Sequence, residues 1–432
     1  MIVPMNMQRK LLLLLMILLT CSLSLHAEET LSEEALRGEH LTIRLMTLGQ
    51  GDPLYIWYGH VGIIVDDTLT DRSLMFDFGV FNFKQDNFYL NFSMGRLFYQ
   101  VMASYAEQRI DYAVDSKRNT SMITLDLPPE SRYKIYTALI DHIQPENRTY
   151  LYHHYYNNCS TKIRDIIDMG VDGQLKQWSE DIPSQYSYRE HIRRYSGNSL
   201  IMDFILNFLQ SSVIDTPISV WDEMFLPDRM ERALMRFSYT DESGVSRPIV
   251  SEREILSDFE DRPEIPDLWT PKWPWALALG SLIGIFGILL RYLVDMKDLN
   301  FIKILLGAYH TVLALFGGLL GTVLLFMMLF TDHDVTFGNV NLLLLNPLLL
   351  YAALKGILLI FGKQKNRHIR DIDNLWAIMS LLSLTLLFLK FFSIIVQQNQ
   401  MSIALIVPIN FALGIYPLIR RRRDRKSTEE ER

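Results

Sequence analysis

Tyr155-Tyr156-Asn157-Asn158-Cys159-Ser160-Thr161-Lys162-Ile163-Arg164-Asp165 is the stretch on which the reading of this chain turns. Upstream, residues 149–156 are aromatic and read as extended. Downstream, Ile163, Ile166 and Ile167 recur at helical spacing until Gly170. An extended segment therefore ends at Asn158, and a helix begins at or just after Cys159. A thiol there feels the positive end of the helix dipole and the unpaired N–H groups of the first turn. Both favour the thiolate, which is the nucleophilic form. The same N–H groups, with Asn158 and Ser160 beside them, form a candidate oxyanion site. The alternative for a lone cysteine is an inert, buried packing role; Asn, Ser and Thr neighbours make a poor apolar pocket for it.

A cysteine nucleophile needs a base. His60 stands in the strand-like run Tyr58-Gly59-His60-Val61-Gly62-Ile63, between two glycines that leave space around it. A hydrogen-bonded strand histidine is its alternative reading. His153 and His154 are nearer in sequence, but along an extended strand they would sit ~16–20 Å from Cys159. Asp77, in Met75-Phe76-Asp77-Phe78-Gly79, lies on the next expected strand and is the candidate third group, with Asn82 as an alternative. No HExxH, paired-cysteine, Walker or dinucleotide glycine pattern occurs, so neither a metal nor a cofactor is expected.

Further out, residues 41–47, 54–66, 74–78, 97–102 and 121–126 read as strands, and 130–143 as a helix opened by Pro128-Pro129. This is an α+β domain. Residues 199–214 are strongly apolar, as a buried core helix or a helix lying on a bilayer would be.

Length and composition frame these motifs. The chain has 432 residues, 49% of them hydrophobic and 21% charged, with a net charge of −7. Residues 28–268 hold 39 acids against 23 bases, whereas residues 269–432 carry an excess of +7. An acidic soluble half argues against nucleic acid and against electrostatic docking on anionic lipid; it fits a neutral or zwitterionic substrate. Arg9 and Lys10, the apolar run Leu11–Leu19 and small residues up to Ala27 read as a signal peptide over 1–27. Cys21 is then removed, or else lipidated. Five apolar stretches follow, about 274–294, 302–330, 342–361, 375–396 and 401–419. The segment 363–370 carries four basic residues and the tail 420–432 is basic, whereas 331–341 and 397–400 have no Lys or Arg. Basic loops stay in the cytoplasm. The soluble domain is therefore expected in the periplasm, and Trp269, Trp273 and Trp275 at the outer mouth of the first span. His333, Asp334, Asn339 and Asn341 fall in a periplasmic loop that could line a way into the lipid phase.

The order of His60 then Cys159, with histidine on a strand and cysteine opening a helix, resembles the circularly permuted papain-like proteins. Lecithin retinol acyltransferase and its relatives carry a similar Asn-Cys pair. The closer resemblance is to the bacterial Lnb-type lipoprotein N-acyltransferases, which join an exported papain-like domain to a multi-span tail. It is carried by Tyr58-Gly59-His60, Phe76-Asp77-Phe78-Gly79, Asn158-Cys159-Ser160-Thr161 with Arg164-Asp165, and Asn339-Val340-Asn341 leading to Asn346-Pro347. The resemblance implies a permuted papain-like domain over 28–240, a linker over 241–273, an all-α transmembrane domain over 274–419 and a cytoplasmic tail over 420–432. It implies that Cys159, with His60 as base, takes an acyl chain from a membrane phospholipid. The thioester would pass it to the N-terminal amine of a diacylglyceryl-cysteine lipoprotein. Two other readings share the Cys-His pair: a peptidase or amidase acting on cell-wall peptide, as in the NlpC-like relatives, and a thiol-dependent lipid hydrolase.

Overall fold

The computed structural model describes residues 37–81, 87–262 and 264–430. The expected signal peptide, Cys21 and Asn82 lie outside the described residues. The chain forms two compact units. The first takes the described residues through Phe88, with Leu97–Ser184 and Ile218–Glu264; the second takes Tyr89–Arg96, Gln185–Pro217 and the described residues from Ile265 onward.

The first unit is built on a seven-stranded antiparallel sheet. Its strands are β1 (Leu41–Leu48), β2 (His60–Asp67), β3 (Arg72–Val80), β4 (Leu97–Tyr105), β5 (Thr120–Leu125), β6 (Thr149–Tyr152) and an outer strand Val250–Ser257. Their order is β6-β4-β3-β2-β1-β5, closed by the Val250–Ser257 strand. Both faces are covered, so the central strands bury apolar side chains on both sides. Successive side chains still point to opposite faces. Leu41, Ile43, Leu45, Val61, Ile63 and Phe76 pack with Ile135 and Leu139 of α2 (Pro129–His142) and Ile163 and Ile167 of α3 (Cys159–Gly170). Met46, Leu48, Ile64 and Met75 pack on the other side with Ala106 and Ala113 of α1 (Ala106–Asp115). Burying each Ile or Leu so completely contributes about 1.5–3 kcal/mol.

Three expectations are corrected here. The run 54–66 is not one strand: Leu54–Ile56 is a single 3-10 turn, and β2 begins at His60. Gly59 makes the break at φ +77°, where a Cβ would also sit 2.8 Å from the Leu48 carbonyl. The extended reading of 149–156 holds only to Tyr152. A bridge between His153 and Asn157 then folds the chain back on itself. Residues 241–273 are not all linker. Ser238–Thr240 pairs with Ser246–Pro248, and Val250–Ser257 pairs with β5. Alternating charges on that last strand disguised it, because its exposed face carries Glu252 and Glu254.

The second unit holds four helices long and apolar enough to cross a membrane: Trp273–Lys297, Asn300–Phe330, Lys365–Phe391 and Gln400–Arg420. The third expected span, 342–361, is an α-helix only over Leu349–Phe361; Val340–Leu343 is a 3-10 turn, and Asn346-Pro347 follow before the helix starts. Small residues bring the first and last of the long helices close together. A Cβ on Gly280 would fall 2.1 Å from the Leu405 carbonyl, and one on Gly284 2.7 Å from Ala412 Cβ. Asn339 and Asn341 are buried and do not line a way into the lipid. Both donate their amides to the Phe208 carbonyl, at 2.9 and 2.8 Å. The apolar helix Leu200–Leu209 fits the core-helix reading through part of its length. Phe204 and Phe208 are buried in this unit's core, while Leu200 and Ile201 are exposed. Arg189, fully buried, ties the segment down through Asp215 and the carbonyls of Asn207 and Ser211.

Candidate active site

β2, β3 and α3 each deliver one candidate side chain to the same place in the first unit. His60 opens β2, Asp77 stands on the neighbouring β3, and Cys159 opens α3. Ile163 and Ile167 seat α3 against Ile63 and Phe76 of these strands, which fixes the helix N-terminus over the sheet end. His60 Nε2 lies 2.9 Å from Asp77 Oδ1. Cys159 is close enough to His60 to raise its imidazole. Since Nε2 faces the carboxylate, Nδ1 is the nitrogen left for the thiol. The ring rests against the Gly79 backbone: a Cβ on Gly79 would come within 2.5 Å of His60 Cε1 and 3.1 Å of Nδ1.

Asp77 is itself held from two sides. Its Oδ1 accepts the Gly79 N–H at 2.8 Å, and its Oδ2 accepts from Arg109 on α1. Burial pushes this carboxyl up, but the imidazole, Arg109 and the Gly79 N–H outweigh it, so the acid is held well below the usual carboxylate range. Burial likewise pushes His60 down. The Asp77 carboxylate, followed by Cys159, overrides it and raises the imidazole to about 10. The imidazolium is therefore the favoured form at neutral pH.

Asn158 and Ser160, the side chains expected to help hold an oxyanion, are engaged within the chain. Asn158 caps α3: its Oδ1 accepts the Thr161 N–H at 2.9 Å, and its Nδ2 donates to the carbonyls of His154 and Phe225 at 2.7 and 2.9 Å. Thr161 Oγ1 accepts in return from the Asn158 N–H, which completes a capping box. Ser160 is fully buried and donates to the Met224 carbonyl at 2.7 Å.

Four further contributors were not expected from the sequence. Arg109 comes from α1, and Arg118 from the turn that follows it. Tyr99 and Tyr152, on the paired strands β4 and β6, stack at 4.2 Å between ring centroids. With Cys159, His60 and Asp77 they line a cleft of about 300 Å³, walled also by Tyr58, Phe81 and Phe225. His154 lines the cleft too, against the sequence-based distance, because the chain turns back after Tyr152. Burial, with His153 beside it, lowers His154 to about 4 and keeps it neutral. Burial and the Cys159 charge push Tyr99 up to about 12. The cleft thus brings uncharged aromatic side chains together with a thiol, an imidazole and a carboxylate. Such a site can transfer an acyl group through a thioester. Among the described residues no cluster of His, Cys, Asp and Glu is arranged to hold a metal ion.

Two family models match the chain. The Lnb N-terminal periplasmic domain covers residues 27–194, and the Lnb transmembrane domain covers residues 281–422. Neither the curated proteins nor the solved structures gave a match. The first match spans His60, Asp77 and Cys159, and the second spans most of the long apolar helices. A periplasmic domain thus precedes a multi-pass inner-membrane domain, and with both parts present in order the chain belongs to the Lnb family.

Proposed function

We propose that the protein is a cysteine-dependent lipoprotein N-acyltransferase that uses a membrane phospholipid as donor. The observation that carries this reading is Cys159 beside the hydrogen-bonded His60–Asp77 pair in an aromatic cleft, on a chain whose two Lnb matches pair a periplasmic domain with a membrane domain. A permuted papain-like topology is the fold reading that goes with it, since the histidine strand precedes the cysteine helix.

In the first half-reaction His60 already holds the proton as imidazolium, and Cys159 Sγ attacks the ester carbonyl as the thiolate. The helix-opening N–H groups of Cys159 and Ser160 face the oxyanion, in place of the engaged Asn158 and Ser160 side chains. The S–C bond forms, the ester C–O bond breaks, and His60 returns its proton to the departing lysophospholipid oxygen. In the second half-reaction the lipoprotein's neutral α-amine attacks the thioester. The C–N bond forms, the C–S bond breaks, and the amine proton passes to His60. Asp77, itself held by Arg109, acts by orienting the imidazole and favouring its charged form, as the third member of such triads does. An aromatic wall suits an acyl chain, and the apolar groups exclude the water that would hydrolyse the thioester.

The test is mass spectrometry of a synthetic diacylglyceryl-cysteine lipopeptide incubated with phospholipid vesicles and the purified full-length protein. One acyl group added by wild type and none by Cys159→Ala supports the reading. Free fatty acid with an unchanged lipopeptide would make the protein a thiol-dependent lipid hydrolase instead. Cleavage of muropeptides without acyl transfer would make it a cell-wall peptidase.

A further inference from the structure

The proposed donor carries a phosphate as well as acyl chains, and the cleft holds a charge that the acyl chemistry does not use. Arg118 is only 3% exposed and lines the same cleft as Cys159. Its Nε donates to the Gly49 carbonyl at 2.9 Å, and its Nη2 reaches the Leu48 carbonyl at 3.4 Å. Among the described residues no carboxylate pairs with it. A buried guanidinium normally has an ionised partner, because carbonyl oxygens satisfy its N–H groups but leave its charge uncompensated. Arg194, for contrast, is fully buried at its side chain yet has Asp267 beside it. Burial lowers Arg118 to about 10, which leaves it charged at neutral pH, and the charge on Cys159 is near enough to act on it.

The cleft's balance of charge points the same way. Among the described residues Asp77 is the only acidic one lining it, and Arg109 already neutralises it. The thiol and imidazole are neutral together, whichever of them holds the proton. Arg118 therefore leaves a positive charge in the cleft of a domain whose residues 28–268 carry an excess of 16 acids. Such local inversion of sign recruits an anion. Guanidinium groups bind phosphate oxygens with two parallel donors, and two of the Arg118 nitrogens are already fixed by carbonyls that set its plane.

We propose that Arg118 binds the phosphodiester of the acyl donor and so makes the enzyme select phosphate-bearing lipids. This rests on the acyltransfer reading but concerns only the first half-reaction. In that step the donor's ester carbonyl meets Cys159 Sγ while its phosphate meets the guanidinium.

The experiment reads thioester formation on Cys159 by intact mass, with no amine acceptor present. It compares a short-chain phosphatidylethanolamine with the p-nitrophenyl ester of the same acid. Arg118→Gln is expected to reduce selectivity for the phospholipid over the phosphate-free ester at least tenfold, with Arg118→Lys in between. Unchanged selectivity, with both donors slowed equally, overturns the proposal and leaves Arg118 a structural residue. A second measurement needs no variant: protection of wild-type Cys159 from iodoacetamide by glycerophosphoethanolamine, by inorganic phosphate or by glycerol. Protection by the phosphodiester beyond that by phosphate supports the assignment. No protection, or equal protection by inorganic phosphate, overturns it and, in the second case, marks a site for free anions. Failure of the acyltransfer reading shows separately, as a thioester that forms and never passes to the lipopeptide amine.

Discussion

In the proposed reaction Cys159 and His60 work as one unit, so removing either is expected to abolish most of the activity. Cys159→Ala removes the nucleophile and His60→Ala the proton carrier; the latter should slow transfer about 10²–10⁴-fold, read as lipopeptide acylation at equal protein level. A His60→Ala enzyme as fast as wild type would remove this residue from the site. The raised imidazole also sets a pH limit. Activity that needs imidazolium to protonate the leaving oxygen is present at neutral pH and lost as pH rises through about 10. Asp77→Asn deletes the negative charge that supports the imidazolium, so this basic limb moves toward lower pH, as a thioester-formation profile would record. An unmoved limb would mean that Asp77 does not govern His60. Gly79→Ala is a probe of space alone: its Cβ would strike His60 Cε1, so activity should fall while the protein still accumulates in the membrane.

At the scale of elements, the site depends on how α3 begins. Asn158 supplies a cap to Thr161 and ties the turn to His154 and Phe225. Asn158→Ala loses the cap and leaves two carbonyls without that donor, at about 1–3 kcal/mol. A thermal unfolding scan in detergent should show it as a lower midpoint; an unchanged midpoint would refute the capping account. Asn158→Asp keeps the cap acceptor and should recover part of the loss. The chain reversal after Tyr152 has an equal effect on the site. It places His154 in the cleft wall, where straight-strand reasoning put it far away. Arg109 acts across elements, from α1 to β3, and nothing local in its sequence marks it.

At the scale of the molecule, the parity of membrane crossings fixes where the basic tail lies. Four long helices alone would return the chain to the side on which it entered. Leu349–Phe361 spans only ~20 Å at 1.5 Å per residue, short of the ~30 Å of hydrocarbon. The residues before it are buried in protein: Asn341 and Leu344 are fully enclosed and Asn346 nearly so. Non-helical backbone is tolerated at membrane depth where protein covers it. We therefore expect this segment to complete a fifth crossing, which keeps the base-free 331–341 loop outside and the Lys363–Arg370 segment inside. A reporter fused after residue 432 should be labelled only once the inner membrane is permeabilised; labelling of intact spheroplasts would rule out the fifth crossing. Arg189 offers a stability test in the same unit. Arg189→Met strands a buried Asp215 and should destabilise by about 3–5 kcal/mol, with loss of membrane-inserted protein as the readout.

Local chemistry in the sequence carried much of this protein. An aromatic extended run meeting a helical period at Cys159 located the start of the helix that carries the proposed nucleophile, because a change of hydrophobic period is a local property. The apolar stretches and the alternation of basic and base-free loops gave the membrane domain, because hydrocarbon thickness and charge translocation act on the chain segment by segment. The neighbouring strands carrying His60 and Asp77 were legible as a candidate pair, since consecutive strands usually pair. Only the tertiary structure supplied the rest. The ladder of Val250–Ser257 on β5 joins residues over a hundred apart, and its exposed charges read as a linker. Asn158, Ser160, Asn339 and Asn341 looked like groups free to meet a substrate, until folding gave their side chains partners on distant backbone. Arg109 and Arg118 were two arginines among many. What separates them is the Asp77 carboxylate facing the first and the absence, among the described residues, of any carboxylate paired with the second, and charge pairing across a sheet is decided by which surfaces the fold brings together.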